Sequence, residues 1–353
     1  MGNARNLADN LPLEGSLTGR NLVINGAQNV IQRGNKTGLT AQAYGTDRFS
    51  FTISGRDQLV YNLAQNTDVP SGSGFLNSLS FQTTTPESAI EAGEYAFISH
   101  QIEAQNLQQL AYGTSGAKKV TVSFWVKSSV TGTFCFGLYK GDNTGQIHNK
   151  TYTINSASTW EKKTITFEAN TLSGGAIDDD NGLGLYMTWH LAAGSSYDSV
   201  STTSGWSNYS TTKWCEPNTT DAVLTTTNAT FYLTGVQLEV GSKATAFEHE
   251  PFGITLAKCQ RYFFSWTSSG LSDNLYLSTP YASGTPPNTS ASVAYTFPVT
   301  MRTAPTMSAL TGSAVSNLNR FTSSVHNATA QHASTSPNGA YSLETWTADA
   351  ELL

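Results

Sequence analysis

From Asn21 onward the chain repeats with a period of two. Val120, Val122, Phe124 and Val126 alternate with polar or exposed positions, as do Phe134, Phe136 and Leu138, and then Leu183, Leu185, Met187 and Trp189. A strand sends successive side chains to opposite faces, so each series predicts an amphipathic strand with one buried face. In the series Phe231, Leu233, Val236, Leu238, Val240 the apolar phase flips across Gly235. One extra residue must be absorbed there, which predicts a β-bulge at Thr234-Gly235. Turn clusters separate the runs: Lys140-Gly141-Asp142-Asn143, Ser173-Gly174-Gly175 and Asp178-Asp179-Asp180-Asn181-Gly182. Many short strands with such punctuation predict an all-β fold, an antiparallel two-sheet jelly-roll sandwich over residues 21–252.

The flanks read differently. Residues 1–20 hold at most one short helix over 3–10 and a loose Pro/Gly/Ser stretch, a peptide that cannot fold alone. A short helix carrying Leu256 and Cys259 on one face is expected in a linker over 253–264. A smaller C-terminal β domain, 265–353, is expected from the alternation of Val293, Tyr295, Phe297 and Val299. There Pro280, Pro286, Pro287, Pro298 and Pro305 limit strand length. This part is rich in Ser, Thr and Ala, and a lightly filled core of that kind tends to need a partner chain. One connection inside the sandwich is unusually long. Between Trp189 and Phe231 lies a polar stretch holding Tyr197, Trp206, Tyr209 and Trp214. Connections of that length inside a domain are functional or disordered, and the aromatics argue against disorder.

Composition narrows the partners. Only 12% of the 353 residues are Asp, Glu, Lys or Arg, and the formal net charge is −6. Phosphate binding needs clustered cations, so nucleic acid is not expected as a partner. The paired lysines Lys118-Lys119 and Lys162-Lys163 read as edge charges that discourage sheet-to-sheet pairing. No apolar run of about 18 residues predicts membrane insertion, and the start lacks the apolar core of a signal peptide. The Asn-x-Ser/Thr sequons read as by-products of an Asn/Thr-rich composition. Cys135, Cys215 and Cys259 lie far apart without CxxC spacing, which predicts neither a disulfide framework nor a zinc site. They read as buried or incidental thiols.

No catalytic constellation is expected, and no cofactor. The histidines lack HxH or HExxH spacing, and neither a Walker loop nor a Gly-x-Ser-x-Gly elbow is present. Glu248 and Glu250 would share one face of an extended segment about 7 Å apart. Any Glu-x-Glu strand has that spacing, so the pair reads as solvated carboxylates at a domain edge. The acidic run 178–182 departs from calcium-loop spacing and reads as a polar turn. Sugars, by contrast, present C–H patches that aromatic rings can match, with hydroxyls that Asn, Ser and Thr can bond. Tyr197, Trp206, Tyr209 and Trp214 are therefore candidate glycan-binding residues. The other reading of the same rings is that they pin the long loop onto the sandwich or onto a neighbouring subunit.

Several phrases resemble a known family. Asn21-Leu-Val-Ile-Asn25-Gly26, Ile31-Gln32-Arg33-Gly34 and Thr46-Asp47-Arg48-Phe49 resemble the opening of a carbohydrate-binding-module-like jelly roll in phage tail-fibre and virion-associated proteins. The likeness continues through Gln101-Ile102-Glu103-Ala104-Gln105-Asn106 and Val122-Ser123-Phe124-Trp125-Val126-Lys127-Ser128. It resumes at Tyr232-Leu233-Thr234-Gly235-Val236-Gln237-Leu238-Glu239-Val240-Gly241, Ala246-Phe247-Glu248 and Leu256-Ala-Lys-Cys259-Gln260-Arg261-Tyr262. The resemblance covers about residues 21–264. Tyr295 to Pro305 is similar to distal β domains of phage fibres, and Ala4 to Asp9 looks like the start of many fibre proteins. The resemblance implies a non-enzymatic virion appendage, a homotrimer attached to other virion proteins by its N-terminal peptide and adhering to host-surface polysaccharide. A purely structural virion component is the alternative it leaves. A polysaccharide depolymerase fits less well, because such enzymes commonly use parallel β-helices. No catalytic residue is implied.

Overall fold

The computed structural model describes residues 19–55, 57–267, 275–278, 290–311, 318–333, 340–343 and 345–352. The helix expected over 3–10, and nearly all of the leading peptide, lie outside these. The chain divides into two compact units, Met1–Pro251 and Phe252–Leu353.

The first unit is built from thirteen strands in two antiparallel sheets. They are β1 (Lys36–Leu39), β2 (Ala43–Tyr44), β3 (Phe49–Ser54), β4 (Val60–Asn66), β5 (Ser78–Thr85), β6 (Tyr95–Glu103) and β7 (Val120–Ser128). The rest are β8 (Gly132–Lys140), β9 (Gln146–Ile154), β10 (Glu161–Phe167), β11 (Leu183–Ala193), β12 (Ser207–Asn208) and β13 (Thr230–Val240). One sheet runs β1-β4-β5-β13-β7-β10, the other β12-β9-β8-β11-β6-β3-β2. The chain crosses between sheets at β1–β2, β3–β4, β5–β6, β6–β7, β7–β8, β9–β10, β10–β11 and β12–β13. That repeated crossing is a jelly roll, and the all-β sandwich expected from the alternation is what forms.

The core follows the period of two. Val120, Val122, Phe124 and Val126 are fully buried, as are Phe134, Phe136 and Leu138, and Leu185, Met187 and Trp189. Rings lock the sheets together across the interior: Phe51 on Phe81 at 4.6 Å, Phe124 on Trp189 at 5.8 Å, Phe134 on Phe231 at 5.8 Å. The bulge falls where the phase flips. Thr234 pairs with Trp125 and Gln237 with Ser123, so β13 spends one residue more than β7. Gly235 adopts φ +60°, and a Cβ there would lie 2.5 Å from the Phe75 ring, so any other residue strains this bend and displaces Phe75.

The segments around Asn25, Asp47 and Gln237 build the frame. The Asn25 amide donates to Val30 O and Asp47 O, and its Oδ1 accepts from Val30 N. The Asp47 carboxylate accepts the Gln32 backbone N–H at 2.8 Å and its side-chain amide at 2.5 Å. Burial raises the Asp47 pKa, against the hydrogen bonds from Gln32 and the charges of Arg33 and Arg48. Gln237 Oε1 accepts Glu248 N, and the Glu239 carboxylate accepts Thr245 N and its hydroxyl, which folds the segment after β13 back onto it.

The second unit opens with a helix, Phe252–Gln260, in which Thr255 and Cys259 are the buried positions. Its strands are β14 (Phe263–Thr267), β15 (Leu275–Ser278), β16 (Ser290–Thr296), β17 (Thr306–Thr311), β18 (Leu318–Ser323), β19 (Asn327–Ala333), β20 (Ala340–Leu343) and β21 (Thr345–Asp349). They form small antiparallel sheets, β14-β21-β17, β15-β20 and β16-β19-β18. Phe264, Tyr295 and Trp346 meet at 5.1–5.5 Å. Few large side chains are available, but the aromatic ones converge.

Candidate functional site

The strand β11 divides its side chains between core and outer face. Leu185, Met187, Trp189 and Leu191 point inward, so Tyr186, Thr188 and His190 point out. The same alternation puts Tyr95, Phe97, Ser99 and Gln101 of β6 and Cys135, Gly137 and Tyr139 of β8 on that outer face, in register with β11. The face therefore carries an aromatic field beside a polar strip. Tyr95 stacks on Phe97 at 5.7 Å, and Phe97 meets Tyr186 edge-on at 5.7 Å. Burial raises the Tyr186 phenol pKa, against hydrogen bonds to Ser99, Thr52 and Gln101.

The long connection folds over one side of this field. Trp214 is its centre, edge-on to Phe97 at 5.5 Å and to Tyr139 at 5.7 Å, and 5.9 Å from His190. Tyr209 sits 5.2 Å from Tyr139 and 5.7 Å from Trp214, and Tyr197 lies 4.7 Å from Tyr95. Three of the four rings singled out in the sequence thus join one continuous cluster. Tyr209 is the most open of them at 38% exposure. Trp206 does not join. It packs edge-on to Tyr112 and His148, and its indole N–H donates to Glu168 O at 2.7 Å.

Buried polar groups hold the loop in shape. The Glu216 carboxylate, 2% exposed, accepts Thr202 N at 2.7 Å, the Thr202 hydroxyl at 3.1 Å and the Ser201 hydroxyl at 2.5 Å. The backbone N–H of Asn149 on β9 donates to Thr202 Oγ1 at 2.9 Å, and its side-chain amide donates to Lys213 O at 2.8 Å.

The other titratable clusters resolve into structural roles. Glu248 accepts Asn21 N at 2.8 Å and Gly19 N at 2.5 Å, so it ties down the chain ahead of β1 instead of standing solvated, as its sequence setting suggests. At the acidic turn the Asp180 carboxylate accepts Gly182 N, and Asp178 accepts the Asn143 amide. The buried Lys140 ammonium donates to the carbonyls of Asp142, Gly174 and Ala176, filling with its own charge the place where these turns converge. Burial lowers its pKa, against the pull of Asp142 and Asp178.

One grouping escapes spacing analysis. Cys135, His190 and Cys215 are all buried and bring their ligand atoms within 4.8 Å of one another. They come from β8, β11 and the long loop, and no local motif joins them. Only the pairing of His190 opposite Cys135, a tertiary fact, makes the group visible.

No protein-family model and no curated protein sequence matches the chain. Solved structures do show similarity. The enzymatically active domain of bacteriophage CBA120 tailspike protein 4 aligns at 13% identity and TM-score 0.33, over 63% of this chain and 21% of that one. A CBM4 structure aligns at 14% identity and TM-score 0.30, over 62% and 99%. The family 11 carbohydrate-binding module of a cellulosomal cellulase from Clostridium thermocellum gives 14% and 0.28, over 62% and 98%. Identities this low fix no residue-to-residue correspondence, so the site rests on its own geometry.

Proposed function

We propose that the chain is a non-enzymatic glycan-binding protein of a phage virion, a tail-fibre-like appendage that adheres to polysaccharide on the host cell surface. The observation that carries the binding reading is the aromatic field of the outer sheet face. Tyr95, Tyr139, Tyr186, Tyr209 and Trp214 are partly open rings beside hydroxyl and amide groups, the combination that matches the faces and rims of sugars. Virion membership is supported by the run of motifs over residues 21–264. A binding role without catalysis is supported by the engagement of Glu216, Glu239 and Glu248 in structural hydrogen bonds. Among the described residues no helix is long and apolar enough to cross a membrane. We further propose a homotrimer whose residues 1–20 dock on other virion proteins, with no nucleic-acid partner.

The test is binding of the intact protein to an array of bacterial envelope polysaccharides. A stacked ring contributes about 1 kcal/mol, so Tyr209→Ala is expected to weaken binding roughly fivefold per site, and Trp206→Ala to leave it unchanged. Binding that is indifferent to Tyr209, Tyr95 and Tyr139 would remove this face as the site. The second reading, a structural component without a ligand, is favoured by the way Trp214 is spent on packing against sheet rings. It predicts no polysaccharide binding, and a particle map with the loop inside a subunit interface.

A further inference from the structure

We infer that Cys135, His190 and Cys215 form a binding site for a thiophilic divalent cation of the zinc type, which staples the long aromatic loop to the outer sheet face. The three residues are each at most 1% exposed. Two lie directly opposite one another on paired strands, and the third follows Trp214 in the loop. A zinc ion holds sulfur at about 2.3 Å and nitrogen at about 2.0 Å, which places ligand atoms roughly 3.5 Å apart. Groups already gathered within 4.8 Å reach that spacing by small side-chain movements.

The histidine is set up as a ligand by its neighbours. The Thr188 hydroxyl donates to Gly137 O at 3.3 Å. The same hydroxyl lies 3.0 Å from His190 Nε2 and holds the ring's orientation. Nδ1 is buried with no oxygen or nitrogen partner among the described residues. An oriented imidazole with one nitrogen held by a hydroxyl and the other bare is the arrangement metal sites use to fix a ligand's tautomer.

A metal takes cysteine as the thiolate, so uptake of one cation by Cys135 and Cys215 releases their thiol protons to solvent. The Thr219 hydroxyl, 3.6 Å from Cys215 Sγ, or a water molecule completes a four-coordinate shell. Two thiolates and one imidazole select a soft or borderline ion over calcium or magnesium, which take oxygen ligands.

The experiment uses the full chain, purified under reducing conditions, stripped with chelator and titrated with cobalt(II) and then zinc. One thiolate-to-cobalt charge-transfer band per chain is expected, displaced by zinc, with a zinc-dependent rise in Tm. The band should persist in Cys259→Ser and vanish in Cys215→Ser and in His190→Gln. Mass spectrometry of protein purified without chelator should show one zinc per chain. Three results would overturn the assignment. One is wild-type protein that forms no band. A second is a band abolished by Cys259→Ser alone. The third is a Cys135–Cys215 disulfide in freshly isolated protein that, once reduced, takes up no metal.

Discussion

Individual residues here are constrained by backbone geometry and by burial. Gly235 stands at a left-handed φ with the Phe75 and Trp125 rings within 3.1 Å of where a Cβ would be. Gly235→Ala therefore adds backbone strain of about 1–3 kcal/mol and forces Phe75 aside. A fall in the urea midpoint with an unchanged m-value would show this. A second residue-scale expectation concerns His148, fully buried between the Phe167 and Trp206 rings at 5.0 and 5.7 Å. Burial, aided by Lys150, lowers its pKa to about 4. A histidine kept neutral in the folded state contributes stability that is intact above its unfolded pKa of about 6.5. That stability is lost as pH falls toward 4, because the unfolded chain takes up the proton first. His100 is held down in the same direction, chiefly by burial and also by Arg48. Unfolding midpoints should thus drop between pH 6.5 and 4, with a shallower slope in His148→Phe. Equal slopes would assign the acid sensitivity elsewhere.

At the scale of elements, the long loop is held on the sheet by the Trp214 ring cluster and by the buried hydrogen bonds of Glu216 and Asn149. Trp214 makes edge-on or tilted contacts with Phe97, Tyr139, Tyr186, His190 and Tyr209. Each such pair is worth about 0.5–1.5 kcal/mol beyond the area buried. Trp214→Ala should release the loop without melting the sandwich, because the core rings on β3, β7, β8 and β11 are untouched. The expected signature is faster amide exchange and proteolytic cutting across residues 195–220, with the midpoint of global unfolding little changed. Loss of cooperative folding instead would make the loop part of the core. The aromatic rings therefore serve the loop's order first, and any glycan contact falls to those still open, above all Tyr209.

On the scale of the whole molecule, the apolar interior of the sandwich closes within the first unit. Every member of its main hydrophobic cluster lies between Val23 and Leu238. A chain ending at Pro251 is expected to unfold in a single cooperative step by calorimetry, since one continuous core is the physical basis of two-state behaviour. The second unit, with a small core led by Phe264, Tyr295 and Trp346, is where association would add most. Solution mass by light scattering, compared between the full chain and that shorter one, tests whether the proposed trimer depends on residues 252–353.

What the sequence by itself determined was what repeats locally. A period of two settles which side chains of β7, β8 and β11 enter the core, and a phase flip at Gly235 settles where β13 must bulge, because the pleat allows nothing else. The aromatic content of the long loop was equally plain. Which rings those aromatics would meet was not, because Tyr95, Phe97, Tyr139 and Tyr186 belong to three strands whose adjacency is decided only by sheet order. Trp206 looked like its three companions in the sequence and went elsewhere for that reason. The same holds for Cys135, His190 and Cys215. Strand pairing and loop docking bring together groups that no spacing rule connects, and the Thr188 hydroxyl beside Nε2 leaves the other nitrogen of the histidine bare.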